Sequence, residues 1–157
     1  MNPYLLNTLE MGPAIVRRLL HHLPQARLDE ALSPDRFTPR EAIAHLADWE
    51  EILLARMQRT LAEPGHTILG MDESVRAEEQ GYRTSDIWQQ ADSFQQRRKR
   101  TAEWLRSLPT DAWRATATHN ERGPQSLYDQ ANLLLGHDLY HIEHLTLYLE
   151  PKTAGTW

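Results

Sequence analysis

The sequence predicts an all-α protein, a four-helix bundle that forms a single domain over residues 1–157. Leucine occurs 23 times and alanine 16 times, whereas valine and isoleucine together occur 8 times. Helices favour leucine and alanine, and strands favour β-branched residues, so this composition favours helices. Four stretches carry apolar residues at helical spacing, and segments containing proline or glycine separate them. The chain therefore contains four predicted helices.

The first predicted helix opens at Asn2-Pro3, a cap residue followed by a proline whose missing N–H costs nothing in the first turn. Pro24 ends it. Gly12-Pro13 lies in its middle, and because proline removes a helical hydrogen bond we expect a kink or a restart there. Its apolar stripe consists of Leu5, Leu9, Val16, Leu20 and Leu23.

The second predicted helix has the clearest start signal in the chain, the sequence TPRE. Its Thr38 and Glu41 form a capping box, with proline at the first helical position. The helix is expected to run to about Leu61. A polar connection over residues 62–83 follows, with a short helical piece expected at residues 72–80. Its length predicts a long crossover between the second and third helices of the bundle.

Two further helices complete the predicted bundle. The third begins near residues 84–86 and is closed by Pro109. The fourth follows Gly123-Pro124, runs over about residues 125–149 and is stopped by Pro151. Functional sites in such bundles are built from side chains on facing helices, so the inward faces are the place to look for them.

Three histidines, His137, His141 and His144, lie in the apolar stretch GHDLYHIEHLTLYL of the fourth helix. Each residue of a helix advances by about 100°, so all three share one stripe. The HxxxH pair of His137 and His141 projects two imidazoles from one face, one turn apart, which suits a metal ion. Such a pair also arises by chance in a chain with 8 histidines, so a packing role is the alternative.

His45 is a fourth inward histidine, on the mostly apolar face of the second helix. Two helices that both bury histidine favour a site, because burying an uncompensated polar ring is costly. Imidazole ligands in a chain without cysteine suit zinc, nickel or a similar divalent ion, with a water completing the coordination. Glu41, Asp48 and Asp138 are nearby carboxylates that could orient the rings, with surface or capping roles as the alternative.

Five segments spread over nearly the whole chain carry a family resemblance: MGPAIVRRLL, EAIAHLADWE, MDESVRAEEQ, HNERGPQSLYDQ and GHDLYHIEHLTLYL. Together they resemble the DinB-like superfamily of metal-binding four-helix bundles. The resemblance implies a metal triad of His45, His137 and His141, a long crossover, and frequently a homodimer. His144 stands where the family often has glutamine, and about 10 Å of axial rise separates it from His137. It is therefore left outside the triad, as a candidate for contact with the ligands or the substrate.

A histidine triad leaves an open coordination position, which is typical of catalytic metal sites. The superfamily that the chain resembles includes transferases and isomerases that use low-molecular-weight thiols. The leading hypothesis is therefore a metal-dependent thiol S-transferase-like enzyme acting on a small-molecule substrate. The alternatives are a metal-dependent hydrolase, with Asp48 or Glu41 as candidate base, and a non-catalytic metal-binding stress-response protein. The sequence assigns no catalytic residue.

Charge and composition argue against other classes of protein. A formal net charge of −5 and a pI near 5.9 disfavour a nucleic-acid partner, and the basic run QQRRKR fits the solvated face of the third helix through Arg97, Lys99 and Arg100. No stretch approaches the roughly 20 apolar residues of a membrane span, so no membrane partner is expected. The absence of cysteine fits a cytoplasmic location.

Two expectations concern assembly and the remaining histidines. The expected assembly is a homodimer of about 36 kDa, twice the 18.2 kDa chain. The histidines outside the second and fourth helices are assigned to the surface or to loops; they are His21, His22, His66 and His119.

Overall fold

The computed structural model of the chain describes residues 2–149, and four long helices form the predicted bundle. A fifth, short helix lies in the crossover, and the five are α1 (Leu5–His22), α2 (Pro39–Ala62), α3 (Glu73–Glu79), α4 (Ile87–Ser107) and α5 (Leu127–Thr146). Helices α1 and α2 each pack against both α4 and α5. The fold class predicted from the sequence is confirmed.

Capping boxes start the two helices that carry the inward histidines. At the start of α2, the Thr38 side chain accepts from the Glu41 N–H at 3.2 Å, and the Glu41 carboxylate accepts from the Thr38 N–H at 2.8 Å. Ser126 and Asp129 form the same reciprocal pair at the start of α5. Each box satisfies N–H groups that have no partner within the helix, which fixes where the helix begins.

The start of the first helix and the end of the last differ from their predicted positions by a few residues. Helix α1 begins at Leu5, after a turn in which the Asn2 side chain accepts from the Tyr4 N–H at 3.0 Å. Helix α5 ends at Thr146. The predicted stop at Pro151 lies outside the described residues.

The predicted crossover between α2 and α4 is present, and its short helical piece is α3. Asp72 caps α3 through hydrogen bonds from the N–H groups of Ser74 and Val75. A strand, β1 (Thr67–Ile68), precedes α3, and a 3-10 turn at Tyr82–Thr84 follows it.

A small three-stranded sheet was not predicted. Strands β2 (Thr116–His119) and β3 (Gly123–Ser126) form an antiparallel hairpin, and β1 pairs parallel to β2. Gly123 has a φ of 78°, a conformation that favours glycine, where the hairpin turns back.

His119 ends β2 with 1% of its surface exposed, so its assignment to the surface or a loop was wrong. Burial alternates along β2, which turns His119 inward.

The restart expected at Gly12-Pro13 is also wrong, because α1 is one helix through both residues. Pro13 lacks the N–H that would reach the carbonyl of Leu9. The guanidinium of Arg98, on α4, donates to that carbonyl oxygen instead, at 2.8 Å. A side chain from another helix therefore replaces the hydrogen bond that the proline removes.

Arg98 is the centre of a buried ion-pair network. It donates to both carboxylate oxygens of Glu50, at 2.9 and 2.7 Å, and to both of Asp138, one of them at 2.9 Å. A methyl group at Gly12 would lie 2.7 Å from the Asp138 carboxylate, so a side chain at this position would clash with the network. Burial alone would lower the pKa of Arg98, but its hydrogen bonds and the charges of Asp138 and Glu50 raise it.

The Arg98 network lies between two apolar clusters. Along α1, Leu9 belongs to one cluster and Val16 to the other, with Gly12 between them. Along α4, Phe94 and Leu105 flank Arg98 in the same way. The middle of the bundle is therefore polar. None of the helices within residues 2–149 has the length and apolarity needed to cross a lipid bilayer.

Candidate metal centre

Three histidines from two helices converge in the middle of the bundle. His45 comes from α2, and His137 and His141 come from α5, one turn apart. Each offers a ring nitrogen, and the three nitrogens all lie within 4.8 Å of one another. The Nε2 atoms of His45 and His137 are 2.8 Å apart. The structure thus brings together the triad that the family resemblance implied.

The amphipathic pattern of the two helices explains this convergence. His45 is fully buried and His141 is 4% exposed, whereas His137 is half-buried. Residues four apart on a helix lie on the same face, so the face of α5 that carries His141 also carries His137. The packing of α5 against α2 then places that face against His45.

The three imidazoles are held in the neutral form. Burial lowers the pKa of His45 to about 3, with a further contribution from His137. Burial also lowers the pKa of His141 to about 2 and that of His137 to about 4, the latter with the charge of Arg98 adding to it. A neutral imidazole has a free lone pair, and this is the form that coordinates a metal ion.

The residues present fit a divalent metal ion. Nδ1 of His45 and Nδ1 of His141 are buried, and neither has a hydrogen-bond partner within the described part of the chain. Buried polar atoms are normally paired, so the His141 ring, which makes no hydrogen bond within the described residues, points to a ligand. Three imidazoles without a thiolate suit zinc, nickel or a similar borderline ion.

The three predicted carboxylates do not contact the triad through hydrogen bonds. Asp138 accepts from Arg98, as described above. Asp48 accepts from Arg76 at 2.7 and 2.8 Å and from the Tyr82 hydroxyl at 2.7 Å. Burial would raise the pKa of Asp48, but these hydrogen bonds lower it, so the carboxylate is ionised and engaged.

Glu41 takes the capping role that the sequence left open as an alternative. Besides the Thr38 N–H, it accepts from Arg83 at 3.0 Å. Each carboxylate therefore fixes a helix or the crossover near the triad, and none of them orients an imidazole ring directly.

His144 lies beside the triad on the same face of α5. It is 2% exposed, and its ring centroid is 6.4 Å from that of His141. Its Nε2 is buried and has no hydrogen-bond partner among residues 2–149. Burial lowers the pKa of His144, and the charge of Arg36 adds to the effect. The ring is therefore neutral and free to hydrogen-bond a molecule beside the triad.

A cleft beside the loop that precedes α2 reaches His141 of the triad. Its inner cavity, of about 120 Å³, has His141 and His144 in its wall. An outer cavity of about 480 Å³ shares part of that wall. The residues that line both cavities are Asp35, Arg36, Phe37 and Ser74. A small molecule in the inner cavity would lie against a histidine of the triad.

Aromatic rings close the other sides of His45. The centroid of the Trp49 ring is 5.2 Å from that of His45, and the Phe37 centroid is 5.1 Å away. Trp49 lies one turn after His45 on α2, so their contact follows from helical spacing. Phe37 was missed, although an apolar residue directly before a capping box often packs against the helix that follows.

The chain is similar to known proteins in both sequence and fold. The sequence profile of the DinB superfamily matches residues 8–145. A protein of Oceanobacillus iheyensis, named as a candidate metal-dependent hydrolase, is 28% identical over 148 residues, which are 94% of this chain and 85% of the relative. The solved structure of YfiT from Bacillus subtilis superposes with a TM-score of 0.85 at 23% identity, over 92% of this chain and 83% of that one. It is described as a candidate metal-dependent hydrolase with an unusual four-helix-bundle topology.

Proposed function

The chain belongs to the DinB superfamily, and from that premise we propose that it is a metal-dependent hydrolase in which His45, His137 and His141 hold a divalent ion. Zinc and nickel are the proposed ions, because both accept nitrogen ligands in a site without thiolates. The names of the two similar proteins support hydrolysis. One observation carries the proposal: three neutral imidazoles lie within 4.8 Å of one another beside a cleft.

The residues around the triad exclude solvent and offer a hydrogen bond to the substrate. When bound, a divalent ion supplies Lewis acidity, which polarises a carbonyl and lowers the pKa of water towards about 7. Trp49 and Phe37 exclude solvent around His45, which keeps the ligand rings neutral. His144 lines the cleft, and its unpartnered Nε2 is the atom that would hydrogen-bond a substrate or a water there.

Asp48 and Glu41 are poor candidates for the base that hydrolysis requires, although the sequence suggested them. Asp48 is held by Arg76 and Tyr82, and Glu41 by Thr38 and Arg83. A carboxylate with several donors is stabilised in its ionised form and is a weaker proton acceptor. We therefore assign neither of them a role in proton transfer.

Metal removal and reloading test the proposal. Protein stripped by a chelator is assayed with simple nitrophenyl esters, and then again after zinc or nickel is added. We expect turnover only with metal, and its loss in His45→Ala but not in His22→Ala, a control at an exposed histidine of α1. Turnover that is independent of metal, or unaffected by His45→Ala, would contradict the proposal.

Thiol S-transfer, which the family resemblance favoured, is the second candidate. The absence of cysteine is compatible with it, since a thiolate at the triad would come from the substrate. It requires the same three histidines. Cobalt-loaded protein distinguishes the two functions, since a thiolate ligand gives a charge-transfer absorption band and an oxygen ligand does not. A band on adding a small thiol, together with conjugation of an electrophile, would favour transfer over hydrolysis.

Three expectations stay predictions from the sequence: a single domain over residues 1–157, a cytoplasmic location and a homodimer. The homodimer is tested by light scattering at micromolar concentration, where a mass near 36 kDa, twice that of the 18.2 kDa chain, is expected. A mass near that of one chain would contradict it.

A further inference from the structure

We propose that Arg36 binds a carboxylate group of the substrate, so that the enzyme acts on small molecules carrying an anionic group a few bonds from the reacting one. This inference rests on the proposed hydrolase function and names the substrate class for the same site. It concerns a residue in the loop between α1 and α2 that no sequence pattern singled out.

The position of Arg36 supports the proposal first. Its half-buried side chain lines the inner cavity of about 120 Å³ and the outer cavity of about 480 Å³, so it lies where the two meet. His141 and His144 line the same inner cavity. A molecule that fills the inner cavity would therefore contact both Arg36 and His141, a histidine of the triad.

Arg36 also differs from the other arginines of this region, which already have acidic partners. Arg83 is paired with Glu41 at 3.0 Å, Arg40 with Asp29 at 2.6 Å, and Arg76 with Asp48 at 2.7 Å. Within residues 2–149 the guanidinium of Arg36 has no ion pair or hydrogen bond. Its five N–H donors are available to a ligand.

The acidic residues near the inner cavity leave this cation available. Asp35 and Glu73 line the cavity and are exposed, and neither is within ion-pair distance of Arg36 in the described residues. Arg36 lines the same cavity as His141 and His144, so an anion on Arg36 would lie close to the triad.

Guanidinium geometry selects the kind of anion. A planar fork of N–H donors matches the two oxygens of a carboxylate, and such paired, charge-assisted hydrogen bonds are stronger than neutral ones. Partial burial strengthens the interaction, because less water screens it. The inner cavity has room for a few heavy atoms, which suits a short chain between the carboxylate and the reacting carbonyl.

Two esters with the same leaving group test the proposal: 4-nitrophenyl acetate, which is neutral, and mono-4-nitrophenyl glutarate, which carries a carboxylate. With zinc-loaded protein we expect a higher kcat/KM for the glutarate ester. Arg36→Gln should lower kcat/KM for that ester by about 10- to 100-fold and leave the acetate ester unchanged, as expected for the loss of a charged hydrogen-bond pair. Arg36→Lys should give a smaller loss, because it keeps the charge without the fork.

The matched control is Arg59→Gln, which removes the same charge from an exposed position near the far end of α2. It should leave both esters unchanged. Circular dichroism checks that every variant is folded, and Arg36→Lys carries the test if Arg36→Gln does not fold. A fall in both esters with either Arg36 variant, or no preference for the glutarate ester in the unchanged protein, would overturn the inference while leaving hydrolysis intact.

Binding to the metal-free protein separates the inference from the function on which it rests. Glutarate is titrated calorimetrically into the stripped protein and into Arg36→Gln. Binding that is lost in Arg36→Gln and retained in Arg59→Gln supports a carboxylate site, even if neither ester is hydrolysed and the hydrolase proposal fails. Binding that is equal in the unchanged protein and in Arg36→Gln, or absent from both, would overturn the carboxylate site.

Discussion

Two adjacent residues of α5, His137 and Asp138, belong to two buried polar clusters that differ in one respect. Asp138 is part of the network around Arg98, where the guanidinium donates to two carboxylates and a backbone carbonyl. His137 is part of the histidine triad, where Nδ1 of His45 and Nδ1 of His141 have no partner in the described chain. The Arg98 network pairs its polar atoms within the protein, whereas the triad leaves two ring nitrogens without a partner.

This difference separates a structural role from a ligand-binding role. A buried cation that holds two carboxylates ties α4 to α2 and α5, and it also compensates for Pro13 in α1. Such a network fixes the relative positions of the helices. The triad contributes nothing comparable, since its rings are neutral and only the Nε2 atoms of His45 and His137 lie within hydrogen-bond distance of each other. We infer that the network holds the bundle in the shape that the triad needs.

The largest expected effect concerns the network. Arg98→Met leaves two buried carboxylates without their partner, so we expect the free energy of unfolding of the metal-free protein to fall by about 3–5 kcal/mol. Urea unfolding followed by circular dichroism measures it. Arg100→Met is the control, because its ion pair with Glu51 is exposed and should be worth about 0–1 kcal/mol. Equal losses of unfolding free energy in the two variants would contradict the structural role assigned to Arg98.

The next effect concerns the triad, whose loss should affect metal binding much more than the stability of the metal-free protein. His141→Leu removes an unpartnered ring of similar volume, so the metal-free variant should unfold within about 1 kcal/mol of the unchanged protein. Zinc at 100 times its dissociation constant should stabilise the unchanged protein by about 2.7 kcal/mol and the variant hardly at all. Thermal unfolding with and without zinc measures both. A large loss of stability without metal would show that the triad is structural.

The pH dependence of the metal-free protein gives a smaller effect with a definite sign. The pKa values of the three rings, about 3, 4 and 2, are below the ordinary value of 6.5. Below pH 6.5 the unfolded chain binds protons that the folded chain does not, so stability falls as the pH decreases towards about 4. His141→Leu should reduce that slope by about 1.4 kcal/mol per pH unit. An unchanged slope in urea unfolding between pH 6 and 4 would mean that His141 is protonated in the folded state.

The smallest effect on metal content is expected at His144, which shares the stripe but not the cluster of ligand nitrogens. His144→Ala should leave the metal content unchanged and lower the rate of hydrolysis, by roughly 10- to 100-fold for a lost hydrogen bond. Elemental analysis and ester hydrolysis measure the two quantities. Loss of metal in His144→Ala but not in His137→Ala would show that the pair on α5 is His141 and His144.

Local signals explain why much of the fold could be predicted. The capping box at Thr38 and Glu41 and the proline after it are read directly from neighbouring residues, and α2 begins where they place it. The four helices and the crossover follow from the spacing of apolar residues. The inward positions of His45 and His141 follow from the same spacing, because each lies on the stripe that its helix buries.

The features that were missed depend on contacts between distant parts of the chain. Strand β2 is four residues long, too short for its alternation to be distinctive in the sequence, and its parallel partner β1 lies about 50 residues earlier. Arg98 lies in the basic run QQRRKR, whose charge suggested a solvated face. Its spacing was informative, since Arg98 is four residues after Phe94 and four before Ala102, both buried. Its partners on α2 and α5 could not be read from that spacing.

Metal stoichiometry tests most directly whether the unpartnered imidazoles form the binding site. The unchanged protein and His45→Ala are each stripped, incubated with zinc or nickel, dialysed and analysed for metal per chain, with circular dichroism as a check of folding. We expect one ion per chain in the unchanged protein and almost none in a folded His45→Ala variant, because α5 alone supplies two ligands. One ion per chain in His45→Ala, or none in the unchanged protein, would contradict a site built across α2 and α5.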